Sequence, residues 1–125
     1  MFKVYLLTNQ NHTLNYTGST GLEVDQRLRL HNNNTGCQYT KHRGPWRLIA
    51  YVSGFTSRSA ACQFERQVKR TRIKKTRVNE SKIKRKLRIF SKVYMKNYGE
   101  ELLFHMSRRY EKLFEVVDVN VITFF

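Results

Sequence analysis

Cysteine and acidic side chains are scarce in this chain, and no apolar run approaches the length of a membrane span. Its two cysteines, Cys37 and Cys62, are too few and too poorly spaced for a disulfide framework or a paired-cysteine zinc site, so both read as reduced thiols. Nine Asp and Glu stand against 24 Lys and Arg, a formal net charge of +15 at pH 7 in 125 residues. Such a surplus projects a broad positive field that attracts polyanions, with nucleic acid as the first candidate partner. A helical span needs about 20 consecutive apolar residues, which excludes one here, and no membrane partner is expected. The start, Met1 to Tyr5, lacks the charged segment, apolar middle and small-residue cleavage site of a secretory signal. The expected location is therefore intracellular, in nucleus or cytoplasm, and not secreted. Repeats, heptad arrays and low-complexity linkers are also missing. What is present, 40% apolar residues, supports one modest core with room for an appendage.

The order of elements reads as α+β. Phe2 to Leu7 is a β-branched and aromatic run, Thr8 to Thr13 a polar turn, and Leu14 to Thr20 a returning strand, which together make a hairpin. That hairpin puts Tyr5 and Tyr16 on neighbouring strands, with Gly18 leaving space for a backbone or phosphate to approach. Val24 to His31 reads as a helix with Asp25 in its first turn and Arg27 and His31 one turn apart on one face. Asn32 to Gly44 reads as an exposed polar loop bearing Lys41, His42 and Arg43, able to track a phosphate backbone. Arg47 to Phe55 reads as a third, largely buried strand.

Thr56 or Ser57 can cap the next helix, in which Ala60, Ala61, Phe64 and Val68 recur at helical spacing and Glu65 stands beside that stripe, toward the sheet edge. A Lys- and Arg-rich stretch follows, beginning with Lys69 and Arg70 and broken only by Glu80. Within it Ile83, Leu87, Phe90 and Tyr94 keep a 3.6-residue period, leaving Lys82, Lys84, Arg85, Lys86 and Arg88 in solvent. Asn97 to Gly99 reads as a break, Glu100 to Phe114 as another amphipathic helix, and Val116 to Phe125 as a strand-like tail. That tail can join a sheet edge in the same chain or in a second copy, making a homodimer.

Tyr5, Tyr16, Arg27, His31 and Glu65 are the residue types that metal-assisted phosphodiester cleavage uses. Phenols handle a proton or orient water, a guanidinium neutralises developing phosphate charge, and a lone carboxylate holds a divalent cation. Singly each has a plainer reading: packing for the tyrosines, a solvated helix position for Arg27, a helix cap for His31, and an i,i+4 ion pair with Lys69 for Glu65.

Taken in order these residues resemble the GIY-YIG nucleases. The first signature tripeptide appears as Lys3-Val4-Tyr5, with Lys3 where the family has glycine, and the second as Tyr16-Thr17-Gly18. Arg27-Leu28-Arg29-Leu30-His31-Asn32 is similar to the helix with the family's catalytic arginine and a histidine four residues later. Phe64-Glu65-Arg66 matches its metal-binding glutamate. Tyr39-Thr40-Lys41, Gly44-Pro45-Trp46 and Gly54-Phe55 look most like the branch that holds the eukaryotic structure-specific endonucleases and small bacterial single-domain relatives. Ser19 replaces a lysine found in some relatives, Asn79 stands where some branches place an asparagine, and two cysteines cannot build the zinc domain of the eukaryotic enzymes.

The resemblance implies a small three-stranded antiparallel sheet flanked by helices, with a nuclease domain placed at 1–78; past Arg70 it gives no guide, and 79–125 reads from its own charge and periodicity as a basic helical extension with an apolar tail. The resemblance also implies a DNA endonuclease using Mg²⁺ or Mn²⁺ at Glu65 and no small-molecule cofactor, selective for flaps, forks or branched junctions in repair or recombination. Tyr5 and Tyr16 would activate water, Arg27 would clamp the scissile phosphate, and His31 would orient a tyrosine or relay its proton. Lys41, His42, Arg43, Lys69 and Arg70 would contact the nucleic acid. The alternative is a noncatalytic nucleic-acid-binding module on the same fold.

Overall fold

A computed structural model describes residues 1–73, 81–97, 102–113 and 121–124. Strands β1 (Phe2–Asn9) and β2 (Asn15–Thr20) form the hairpin, followed by helix α1 (Val24–Asn32), strand β3 (Trp46–Phe55) and helices α2 (Arg58–Arg70) and α3 (Lys82–Lys96). Strand β4 (Leu103–Ser107), a 3-10 turn (Arg108–Leu113) and strand β5 (Val121–Phe124) complete the order. The strands make one sheet in the order β2-β1-β3-β4-β5, antiparallel except for the parallel β4–β5 pair.

The sheet thus has five strands and not the expected three. β3 is ten residues long, and as an edge it would present a row of unpaired backbone groups. β4 covers that edge through Ala50↔Met106 to Ser53↔Leu103. The expected helix over Glu100 to Phe114 is replaced by β4 and the 3-10 turn. Leu103, Met106 and Tyr110 follow the helical period while Phe104 and Met106 alternate as in a strand, and strand pairing decides, burying Phe104 and Met106 while Leu103 faces out. The apolar tail does add to a sheet edge of its own chain, through Val121–Phe124. The break expected over Asn97 to Gly99 begins where α3 ends, with Asn97 as its C-cap, while its residues 98 and 99 and the suggested match at Asn79 lie outside the described residues.

Side-chain alternation splits the sheet into two faces. Val4 and Leu6 of β1 and Ala50 and Val52 of β3 point toward Phe64 and Val68 of α2, Leu87 and Phe90 of α3 and Phe104 of β4, forming the main core. A register shift between Leu6 and Leu7 against β3 lets Ile49 join that core as well. On the opposite face Tyr5, Leu7 and Trp46 form a smaller cluster with Leu28 of α1 packed against it. Ser57 caps α2 and Ser81 caps α3, each accepting the backbone N–H three residues on. The basic side chains of α3 are less solvated than their spacing suggests. Of those expected in solvent Lys82 is exposed while Lys84, Arg85, Lys86 and Arg88 are half-buried, and Arg85 donates to the Ile73 carbonyl at 2.9 Å.

Candidate functional site

Tyr5 and Tyr16 lie on the α1 face of the hairpin, diagonal to one another: Tyr5 is opposite Gly18, and Tyr16 opposite Leu7. Their ring centroids are 6.2 Å apart. The space at Gly18 is taken by Tyr5 itself, because a Cβ there would stand 2.6 Å from the Tyr5 hydroxyl and 2.8 Å from the Tyr16 ring. Sequence reading assigned that space to an approaching backbone or phosphate; packing assigns it to the phenol.

Helix α1 delivers Arg27 and His31 to the same hydroxyl. Arg27 Nε donates to Tyr5 Oη at 3.2 Å, and His31 Nε2 lies 2.8 Å from that oxygen. A guanidinium only donates, so the Tyr5 proton is left to point at the imidazole. His31 is fully buried, its Nδ1 lies 2.6 Å from Thr40 Oγ1, and Thr40 in turn donates to the Cys37 carbonyl at 3.4 Å. The tautomer with hydrogen on Nδ1 satisfies Thr40 and leaves Nε2 as the acceptor for Tyr5. Burial, helped by the Arg27 charge, lowers His31 to about 4, so its imidazole is neutral at pH 7.

The phenols are held in the protonated form. Burial pushes Tyr5 above its ordinary value, and the Arg27 hydrogen bond pulls back only part of that rise. Tyr16 is raised as well, by burial first, then by hydrogen bonding to Cys37 and by neighbouring negative charge. Cys37 goes the other way: burial opposes ionisation, but hydrogen bonds from Thr40 and Tyr16 outweigh it and hold the thiol below its usual range.

Glu65 arrives from α2, beside the β2 edge of the sheet. Its charge acts on both phenols, and it accepts a hydrogen bond from Lys69 Nζ at 2.8 Å. Lys69 reaches on to lie 5.8 Å from the Tyr16 ring centroid. The five residues Tyr5, Tyr16, Arg27, His31 and Glu65 therefore share one neighbourhood. No group of three or more His, Cys, Asp or Glu side chains forms a metal cage among the described residues, so a cation here would rest on Glu65. That donor set fits a hard divalent ion such as Mg²⁺, which keeps several waters and takes substrate oxygens alongside one or two carboxylates. A cation already sits on this carboxylate, in the form of the Lys69 ammonium.

Of the expected nucleic-acid contacts, Lys41, His42 and Arg43 are exposed on the loop before β3, and Arg43 stacks over the Tyr39 ring at 5.0 Å. Tyr39 stacks in turn on Tyr16, with centroids 5.6 Å apart, which ties this loop to the phenols. Arg70 is turned away from them, toward α3. Sequence reading assigned no role to several residues that build the site. Thr40 anchors His31, the Gly36 carbonyl accepts from Arg27 Nη2 at 3.1 Å, and Trp46 Nε1 holds the Thr40 carbonyl at 2.9 Å. A Cβ at Gly36 would collide with the His31 ring. The segments around Thr40 and Trp46 had already stood out in the resemblance, and that was the available signal.

Residues 1–79 match the family model described as the GIY-YIG catalytic domain. The chain is 34% identical over 71 residues to a structure-specific endonuclease subunit SLX1 homolog from Drosophila melanogaster, covering 51% of this chain and 24% of that protein. Against SLX1 of Vanderwaltozyma polyspora it is 46% identical over 67 residues, 49% of this chain and 21% of the relative. A UPF0213 protein from Oceanobacillus iheyensis is 38% identical over 66 residues, 53% of this chain and 73% of that protein. The chain thus spans about a quarter of the SLX1 proteins it resembles, and most of the bacterial one.

Proposed function

The chain belongs to the GIY-YIG family, and from that premise we propose that it is a DNA endonuclease that hydrolyses phosphodiester bonds with a divalent metal ion. The observation that carries the reading is the bonding of one phenol: Tyr5 Oη takes an Arg27 N–H and lies 2.8 Å from a neutral imidazole. In this scheme water attacks phosphorus in line as the bond to the leaving oxygen breaks. The water's proton passes to Tyr5 Oη, and the Tyr5 proton passes to His31 Nε2. Thr40 holds that imidazole in the accepting tautomer. Arg27, bonded to Tyr5, also offers guanidinium hydrogens to the phosphate, placing it beside the proton acceptor. Tyr16, stacked under Tyr39 and next to Glu65, orients the water. Glu65 would hold Mg²⁺ or Mn²⁺ once Lys69 yields the carboxylate, and the ion supplies Lewis-acid stabilisation of the phosphate and leaving oxygen.

The substrate class that fits is branched DNA, such as flaps, forks or junctions arising in repair or recombination. Support comes from the printed description of the SLX1 relatives as structure-specific endonuclease subunits and from a basic surface suited to backbone contacts rather than base reading. One observation favours the noncatalytic alternative: both phenols are raised and the imidazole that ends the relay is lowered to about 4, so each proton acceptor of the scheme is a weak base. A panel of labelled flap, junction, nicked and linear DNAs with Mg²⁺ or Mn²⁺ separates the two. The nuclease reading expects cutting of branched DNA by the wild type and its loss in Glu65→Ala with binding retained. No cutting of any substrate by the wild type overturns it in favour of a binding module.

A further inference from the structure

The outer side of α2 carries positive charge from Glu65 around to the surface facing α3. There Arg66 and Arg70 of α2 and Lys92 and Lys96 of α3 line an open cleft of about 510 Å³, with no carboxylate among the described lining residues. All four cations are exposed. Each helix contributes its two at i,i+4, where like charges repel, and the two pairs face each other across the cleft. Stability alone would favour mixed signs on such a surface. The helices are tied together at this point, because Asn97 Nδ2 donates to Gln67 Oε1 at 2.9 Å, so the array is held in place. Nearby, Lys86 is pulled below its usual range by burial and then by the charge of Lys69, a sign of the positive potential along this flank.

We propose that the α2–α3 cleft is a phosphate-backbone clamp for the duplex arm that flanks the cleaved position, separate from the pocket around Tyr5. The proposal rests on the reading of this chain as a protein that acts on DNA, and it adds a surface to which α3, outside the family match, supplies half the charge. Helix geometry sets the reach. Glu65 to Arg70 is about 7.5 Å along the helix at 1.5 Å per residue, and a packed neighbouring helix lies about 8–10 Å across. Lys92 and Lys96 therefore fall roughly 10–15 Å from Glu65, about three to four nucleotide steps at 3.4 Å per step along one strand.

The test is binding of the full chain to a long-armed branched DNA in EDTA, followed by anisotropy from about 50 to 200 mM salt, for wild type, K92A/K96A and K92R/K96R. Removing two phosphate contacts should lower the slope of log affinity against log salt by about 1.8, so the loss of affinity across that range shrinks about tenfold. The arginine pair should keep the wild-type slope. Trimming the arm to about two base pairs should remove the contacts of both walls, taking the wild-type slope below that of K92A/K96A on the long arm and lowering the slope of the double variant only by the share left to Arg66 and Arg70. Arg66→Gln, from the other wall, should lower the slope by about 0.9 and serves if the double variant does not fold. Unchanged slopes in folded variants overturn the clamp. Because binding is read without metal, a wild type that cuts no DNA would sink the nuclease reading and still leave the clamp judged on its own data.

Discussion

Gly18 shows how much of the site depends on an atom that is absent. A single Cβ at this position would meet both phenols at 2.6 to 2.8 Å, and at least one ring would have to move. Gly18→Ala is expected to cost about 1–3 kcal/mol of stability, the usual range for overpacking. Cleavage should fall by about 100-fold, the effect of displacing a reacting group by about 1 Å. Urea unfolding and single-turnover cutting read the two effects separately, and a variant with wild-type values of both would show that the rings are not confined. At His31 the consequence is one of pH. Its pKa is lowered on folding, so the unfolded chain binds the proton more tightly. The stability that neutral His31 contributes is present above about pH 6.5 and is lost as pH falls toward 4. From about 6.5 to about 4 this amounts to roughly 3 kcal/mol. Urea midpoints of wild type and His31→Gln should diverge at pH 7 and converge near pH 4; a constant gap would contradict the buried neutral imidazole. These residues were legible in the sequence as types and spacings. Thr40 and Gly36, which hold the histidine from a loop, were not, because what they do depends on how that loop folds back.

At the scale of elements, α2 and the hydrophobic side of α3 could be read directly, since a 3.6-residue apolar stripe with a serine cap has one structural solution. The segment after α3 could not. Its apolar residues include both a helical and a strand pattern, and the strand forms where β3 offers an open edge, pairing from Ala50↔Met106 to Ser53↔Leu103. Phe90 lies where these elements meet, with its ring 5.5 Å from Phe64 and 5.9 Å from Phe104. Phe90→Ala should cost about 3–5 kcal/mol, typical of a buried aromatic truncated to a cavity. Chemical denaturation would measure it. A loss below about 1 kcal/mol would mean that α3 is not part of the cooperative unit.

Across the whole molecule, the family match ends at residue 79, but the main core does not. Leu87 and Phe90 of α3 and Phe104 and Met106 of β4 are buried against Leu6, Val52 and Phe64 in a single cluster. A fragment of residues 1–79 would leave that face of the sheet and α2 open to water, along with the ten-residue edge of β3. Such a fragment is expected to unfold without a cooperative thermal transition and to bind an apolar dye. A sharp melt matching that of the full chain would show that the later elements are dispensable.

By itself the sequence determined which polar side chains are candidates for the site, the hairpin and helices that carry them, and the sign of the surface, because these follow from residue identity, short-range spacing and the resemblance of the ordered motifs. Tertiary structure alone decided that the sheet has five strands, that Gly18 yields its space to Tyr5, and that two basic helices face each other beside Glu65. Those outcomes turn on which distant segments pair and pack, and the same apolar pattern is compatible with more than one partner until the whole chain has folded.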